Sequence, residues 1–226
     1  MSRSATLHRH ALWVRVCHWV LALSVFALAY SGFYVLMAHP RLYWGEVGND
    51  LTPAWFELPL DGGHRPEIWQ QTVTFDALAN KPISASRTME IFNENGWARS
   101  LHFLAGWFFV AAGALYFALG VVTKHVSRDL LPRRLERAGA YSLLQRCAYT
   151  GVAFVMLPFM VLAGLAMSPR VVAAFPVLLD VFGGYQSART LHFIGFGMLS
   201  AFVVGHVAMT VATGFRRHMR AMILGR

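Results

Sequence analysis

Four stretches of this chain are long and apolar enough to cross a lipid bilayer, which removes most folds from consideration. They fall at about residues 13–37, 101–123, 143–167 and 190–213. A hydrocarbon core about 30 Å thick takes roughly 20 apolar residues of α-helix. The expected architecture is therefore an all-α integral membrane four-helix bundle, a single domain over residues 1–226. Composition agrees: only 14 % of the residues are charged and the mean hydropathy is +0.46, where soluble domains carry about 25 % charged residues. The first run reads as a spanning helix rather than a cleaved signal. It is too long for the apolar segment of a signal, contains Arg15 and His18, and has no A-x-A site close behind it.

The net charge of +9 resembles a nucleic-acid binder's until the charges are located. Arg3, Arg9 and Arg15 precede or open the first span. Lys124, Arg128, Arg133, Arg134, Arg137 and Arg146 lie between the second and third, and Arg216, Arg217, Arg220 and Arg226 follow the fourth. The two remaining loops, 38–100 and 168–189, hold seven basic residues and nine of the eleven acidic ones. The positive-inside rule then places both termini and the 124–146 loop in the cytoplasm, with the other two loops on the opposite, periplasm-like side. The basic excess is a topology signal, and no nucleic-acid partner is expected. Cys17 and Cys147 fall at cytoplasmic helix ends, where a structural disulfide is not expected, and no C-x-x-C-H motif for covalent haem attachment is present.

The 38–100 loop carries Pro40, Pro53, Pro59, Pro66 and Pro82 as breakers, together with Tyr43, Trp44, Trp55, Phe56, Trp69 and Phe75. Loops this long are functional or disordered, and the aromatic content specifies an ordered cap. Two readings stand side by side: an aromatic belt resting on its own bundle, and a docking surface for an external partner. Gly106, Gly113 and Gly120 recur every seven residues along the second span, which suits close helix approach or equally a flat cofactor. The segment VVAAFPVLLDVF (171–182) is too short to span and reads as interfacial or re-entrant.

Polar side chains inside spans are expensive and therefore functional candidates. Three segments share one pattern: RVCHW (15–19), RSLHF (99–103) and RTLHF (189–193). In each an arginine stands one helical turn from a histidine, on its aqueous side. His18 and His206 lie near the cytoplasmic ends of the first and fourth spans. His102 and His192 lie near the periplasmic ends of the second and fourth. Fourteen residues separate His192 from His206, about 21 Å of helix, and return the side chain to nearly the same face. The four form two pairs at two depths, as two bis-histidine haems b stacked across the membrane require. Arg15, Arg99 and Arg189 are placed to meet haem propionates by charge-assisted hydrogen bonds, a role weighed against plain interfacial anchoring. His8, His10, His39, His64, His125 and His218 are not candidate ligands. Zinc or dioxygenase-type chemistry would need carboxylates or thiolates converging with histidine, and the spans hold no acidic residue near these sites.

The R-x-x-H-W opening (15–19), a histidine early in the second span and the His192/His206 spacing resemble the di-haem cytochrome b subunits of nickel-iron hydrogenases, respiratory formate dehydrogenase and thiosulfate reductase. This is the bacterial cytochrome b561-like family, and the resemblance covers essentially all four spans. It implies non-covalent ligation of one haem by His18 and His206 and of the other by His102 and His192. It also implies a multi-pass protein of the bacterial inner membrane. Such a subunit exchanges electrons between the quinone pool and a periplasmic redox subunit, a molybdopterin enzyme, hydrogenase or similar. Two alternatives stay open. A stand-alone superoxide:quinone oxidoreductase of the same fold needs a basic approach to an exposed haem edge, whereas the long loop is acidic. A haem-free transporter or membrane anchor predicts colourless protein and broken helices in paired halves, yet Pro158 is the sole proline within a span core.

Overall fold

The computed structural model describes residues 10–37, 40–49, 52–58, 96–126 and 140–225, without the side chains of 140–144 and Arg146. Arg3, Arg9, His8, His39, His64, Arg128, Arg133, Arg134, Arg137 and Arg226 lie outside the described residues. So does most of the loop read as a docking surface, including Trp69 and Phe75.

With no water in the hydrocarbon core, backbone amides and carbonyls must bond within the segment that carries them, and apolar runs of this length answer as helices. The order is α1 (Leu12–Met37), a two-stranded hairpin β1 (Arg41–Leu42) and β2 (Phe56–Glu57), α2 (Gly96–Val122), α3 (Ala140–Gly151), a π-helical turn Val152–Met156, α4 (Leu157–Ala166), α5 (Pro169–Ala174), α6 (Val177–Phe182), α7 (Tyr185–Ala212) and α8 (Phe215–Ile223). The fold is an all-α membrane helix bundle. Four described helices are long and apolar enough to cross a membrane: Leu12–Met37, Gly96–Val122, Cys147–Ala166 and Tyr185–Ala212. The second and fourth are helical from Gly96 and Tyr185, ahead of the expected 101 and 190. The third widens into a π turn just ahead of Pro158. Proline lacks an amide and its ring presses on the carbonyl four residues back, and here the Leu157 amide reaches the carbonyl of Val152 instead.

Lipid supplies no hydrophobic drive for helices to associate, so small residues mark the packed faces. On α1 these are Cys17, Ser24 and Ser31, seven residues apart and all buried. On α2 Ala98, Ala105 and Ala112 form the same stripe with Phe109, and His102 lies on it. Leu23, Phe26, Trp107 and Val204 point outward, as side chains solvated by lipid do.

The chain divides into two compact units, and each spanning helix contributes to both. The first comprises Met1–Val25, Gly106–Phe159 and Gly195–Arg226. In it α8 is hooked to α1: Arg15 Nη1 donates to the carbonyl of Ile223 at 2.8 Å, and Trp19 Nε1 to that of Met222 at 3.2 Å. Trp13, Tyr116 and His125 form an aromatic cluster, with Tyr116 Oη 3.3 Å from His125 Nε2.

The second unit comprises Phe26–Ala105 and Met160–Ile194. Its hairpin pairs Arg41 with Glu57 and Leu42 with Phe56, and Arg41 Nε meets Glu57 Oε2 at 3.1 Å. The hairpin loop caps α7. The first amides of a helix have no internal partner, and here Gly45 O accepts from Gln186 and Ser187 while Glu46 Oε2 accepts from Tyr185. Gly184, at φ +106°, lies so close to Gly45 that a Cβ would come within 2.6 Å of its carbonyl. The 171–182 segment forms part of the short helices α5 and α6, neither long enough to span.

Candidate haem sites

Each unit holds one of the histidine pairs matched by depth. In the second unit, α2 presents His102 and α7 presents His192, with ring centroids 6.3 Å apart and ring planes at 63°. In the first, α1 presents His18 and α7 presents His206, again 6.3 Å apart, at 53°. The Nε2 atoms of all four make no hydrogen bond among the described residues.

The Nδ1 atoms differ. Ser31 Oγ lies 3.0 Å from Nδ1 of His102, and Tyr149 Oη, which accepts from Gln145 Nε2, lies 3.2 Å from Nδ1 of His206. Nδ1 of His18 is buried without a hydrogen-bond partner among the described residues, and the ring of His192 has a side-chain acceptor nowhere among them, only the backbone of Met160. Phe202 stacks on the His206 ring at 6.0 Å and Trp19 meets His18 edge-on at 5.4 Å. Phe56 of the hairpin stacks on Phe193, the neighbour of His192, at 5.6 Å.

Two glycines seat the rings of the second unit. A Cβ on Gly32 of α1 would lie 3.3 Å from His102 Cε1, and one on Gly164 of α4 would lie 3.4 Å from His192 Cε1. The glycine stripe of α2 does something else. A Cβ on Gly106 or Gly113 would meet no atom within 4 Å among the described residues, whereas one on Gly120 would meet Val126 at 2.9 Å. Only Gly120 is in close packing; the half-buried Gly106 and Gly113 border open space.

These residues fit a metal held between two imidazoles. Two metal–nitrogen bonds of about 2 Å each, with the rings' own half-widths added, put the centroids a little over 6 Å apart. Both pairs stand at that separation with Nε2 uncommitted among the described residues.

The arginines are partly engaged elsewhere. Arg15 uses Nη1 on Ile223, and Arg189 uses Nη1 on the carbonyl of Arg41 at 2.9 Å. A guanidinium carries five donors, and Nε of Arg15 is buried without a partner among the described residues. Arg99 is exposed and has no polar partner among the described residues. The sequence reading missed Ser31, Tyr149, Gly32 and Gly164. The seven-residue repeat Cys17–Ser24–Ser31 was the available signal for the first of these.

Apolar spanning helices with opposed imidazoles between them define a multi-pass membrane protein of the cytochrome class. The chain belongs to the prokaryotic cytochrome b561 family, whose model matches residues 9–225. It is therefore a membrane electron-transfer subunit of a family that binds haem b. It is similar to a candidate protein-methionine-sulfoxide reductase subunit, YedZ1, of Azospira oryzae, at 26 % identity over 233 residues, covering 96 % of each chain. No solved structure matches it.

Proposed function

We propose that the chain holds two haems b, one between His18 and His206 and one between His102 and His192, and passes electrons between a periplasmic redox subunit and the quinone pool. The observation that carries this reading is the pair of opposed imidazoles in each unit, both at 6.3 Å. Bound haem supplies one-electron exchange between ferrous and ferric iron. His18 with His206 and His102 with His192 would each hold one haem iron through Nε2, and a haem so held would serve electron conduction rather than bond chemistry. Arg15, Arg99 and Arg189, one turn from a histidine, offer donors to propionates; a cation there also favours the reduced, less positive iron. The orientation has both termini in the cytoplasm of a bacterial inner membrane, by the positive-inside rule.

The relative's name, a subunit of a protein-methionine-sulfoxide reductase, supports a reductase as the redox partner of this chain too. The resemblance to hydrogenase and formate dehydrogenase cytochromes supports quinone as the other end. The hairpin packed on the start of α7 supports an ordered surface for the partner beside Phe193.

The test is haem stoichiometry on detergent-purified protein by pyridine haemochrome, with a dithionite-reduced spectrum. Two haems b per chain with a low-spin α band are expected. A colourless protein would sink the reading in favour of a haem-free anchor, and one haem would make one histidine pair structural.

A further inference from the structure

Ser31 is fully buried in the last third of α1, and its hydroxyl has three neighbours. It donates to the carbonyl of Ala27 at 2.6 Å, with the carbonyl of Leu28 behind it at 3.3 Å. This is the back-bond of a helical serine to the preceding turn. The third neighbour is Nδ1 of His102, on α2, at 3.0 Å. A hydroxyl has one hydrogen to give and lone pairs to accept with. The shorter contact, to Ala27, takes the hydrogen, so toward His102 the oxygen can only accept. Nδ1 of His102 then carries the ring's proton and Nε2 keeps the lone pair.

Gly32, the next residue, completes the arrangement. With a Cβ there, His102 Cε1 would be 3.3 Å away and Nδ1 3.6 Å, so the missing side chain lets the ring lie flat along α1 within reach of Ser31. The facing histidine is treated differently: the ring of His192 is set against the backbone of Met160, as that of His102 is against Leu28, but no side-chain hydroxyl reaches its Nδ1 among the described residues.

We propose that the Ser31–Gly32 dipeptide is the positioning element of the His102/His192 site, fixing the tautomer and rotation of His102 so that Nε2 is presented as the ligating nitrogen. This rests on the haem reading above, and acts through His102 alone. An acceptor on Nδ1–H makes an imidazole a stronger donor to a metal and fixes its plane. The two ligands of this site are therefore unequal, and the potential of its haem is set in part from α1, a helix that supplies neither of its ligands.

The experiment compares S31A and S31T with the unaltered protein in haem content, the two midpoint potentials and the low-spin EPR signals of the oxidised form. The haem missing from His192→Ala identifies the site concerned. In S31A that haem should shift to a higher potential, because the ligand donates less and the ferrous state gains. Its EPR signal should move or broaden, and the other haem should keep both values. S31T retains a hydroxyl able to back-bond to Ala27 and should restore the unaltered behaviour. If S31A instead drops from two haems to one, recovery of the second in S31T supports the proposal equally. Unchanged potentials and EPR signals in S31A, or the same change in S31T as in S31A, would overturn it.

Failure of the haem reading shows separately, as absence of haem from the unaltered protein. The tautomer is then read from the side-chain nitrogen NMR shifts of His102. A protonated Nδ1 that becomes a mixture in S31A is expected, and a protonated Nε2 in the unaltered chain rejects the assignment.

Discussion

Removing an imidazole from α7 separates the two sites by their readouts. His192→Ala and His206→Ala should each lower the haem content from two per chain to one, with different bands lost from the reduced spectrum. Both variants retaining full haem would refute the ligand assignment. Gly32→Ala should be tolerated with a small change in potential, since its Cβ would sit 3.3 Å from His102 Cε1 and the ring need give only slightly. Gly32→Leu should expel the ring, lose that haem and cost about 1–3 kcal/mol as overpacking does. Arg189 holds the carbonyl of Arg41 and is proposed to act on the adjacent haem, and a charge-conserving change can part the two. Arg189→Ala should lower the potential of the adjacent haem by on the order of tens of millivolts, since a cation is lost, and loosen the hairpin. Arg189→Lys should hold the potential while losing the planar donor geometry at the carbonyl of Arg41. A potential equally low in both would assign the effect to geometry. At this scale the pairing of the histidines was legible because their depths follow from their positions along the spans. Ser31 was not, because serine is ordinary inside a spanning helix and its partner lies 71 positions away. Nor were the arginine contacts, since a backbone carbonyl acceptor leaves no mark in the sequence.

Among the elements, α8 is the one that sequence reading passed over. Its Arg216, Arg217 and Arg220 had already been explained as topology signals, and its contact with α1 rests on carbonyls at its own C-terminal end. Ending the chain at Gly214 removes the acceptors of Arg15 and Trp19, the residues three before and one after His18. One charge-assisted and one neutral hydrogen bond together contribute about 2–4 kcal/mol. The truncated protein should melt earlier and lose the His18/His206 haem first, which a thermal melt followed at the two haem bands would resolve. Equal loss of both haems would show that α8 is not specific to His18. The spans themselves were legible to within a few residues at most ends because bilayer thickness dictates their length. The early start of α7 was not, because its first amides are satisfied by Gly45 and Glu46 of a distant loop. The π turn follows from Pro158, which the sequence displays, although whether a proline kinks, breaks or widens a helix depends on packing.

For the molecule as a whole, topology is the most accessible check. Alkaline phosphatase fused at the C-terminus should be inactive and a cytoplasmic reporter there active. The opposite pattern is expected for fusions within 59–95. A reversed result would exchange the cytoplasmic and periplasmic assignments of the two sites, and with them the ends at which quinone and partner are expected. The all-α membrane bundle was readable from length and hydropathy alone. The glycines of α2 were not: one stripe offered helix packing or cofactor space, and the structure uses Gly120 for the first and leaves Gly106 and Gly113 open.

The hook from Arg15 and Trp19 to Ile223 and Met222 spans more than two hundred positions of sequence, and so bears on how the protein is made. During synthesis Ser31 can find His102 as soon as α2 emerges, and His192 follows with α7. Arg15 and Trp19 gain their acceptors only once Met222 and Ile223 have been made. The His102/His192 pocket can therefore assemble on the growing chain before the contacts that flank His18 close.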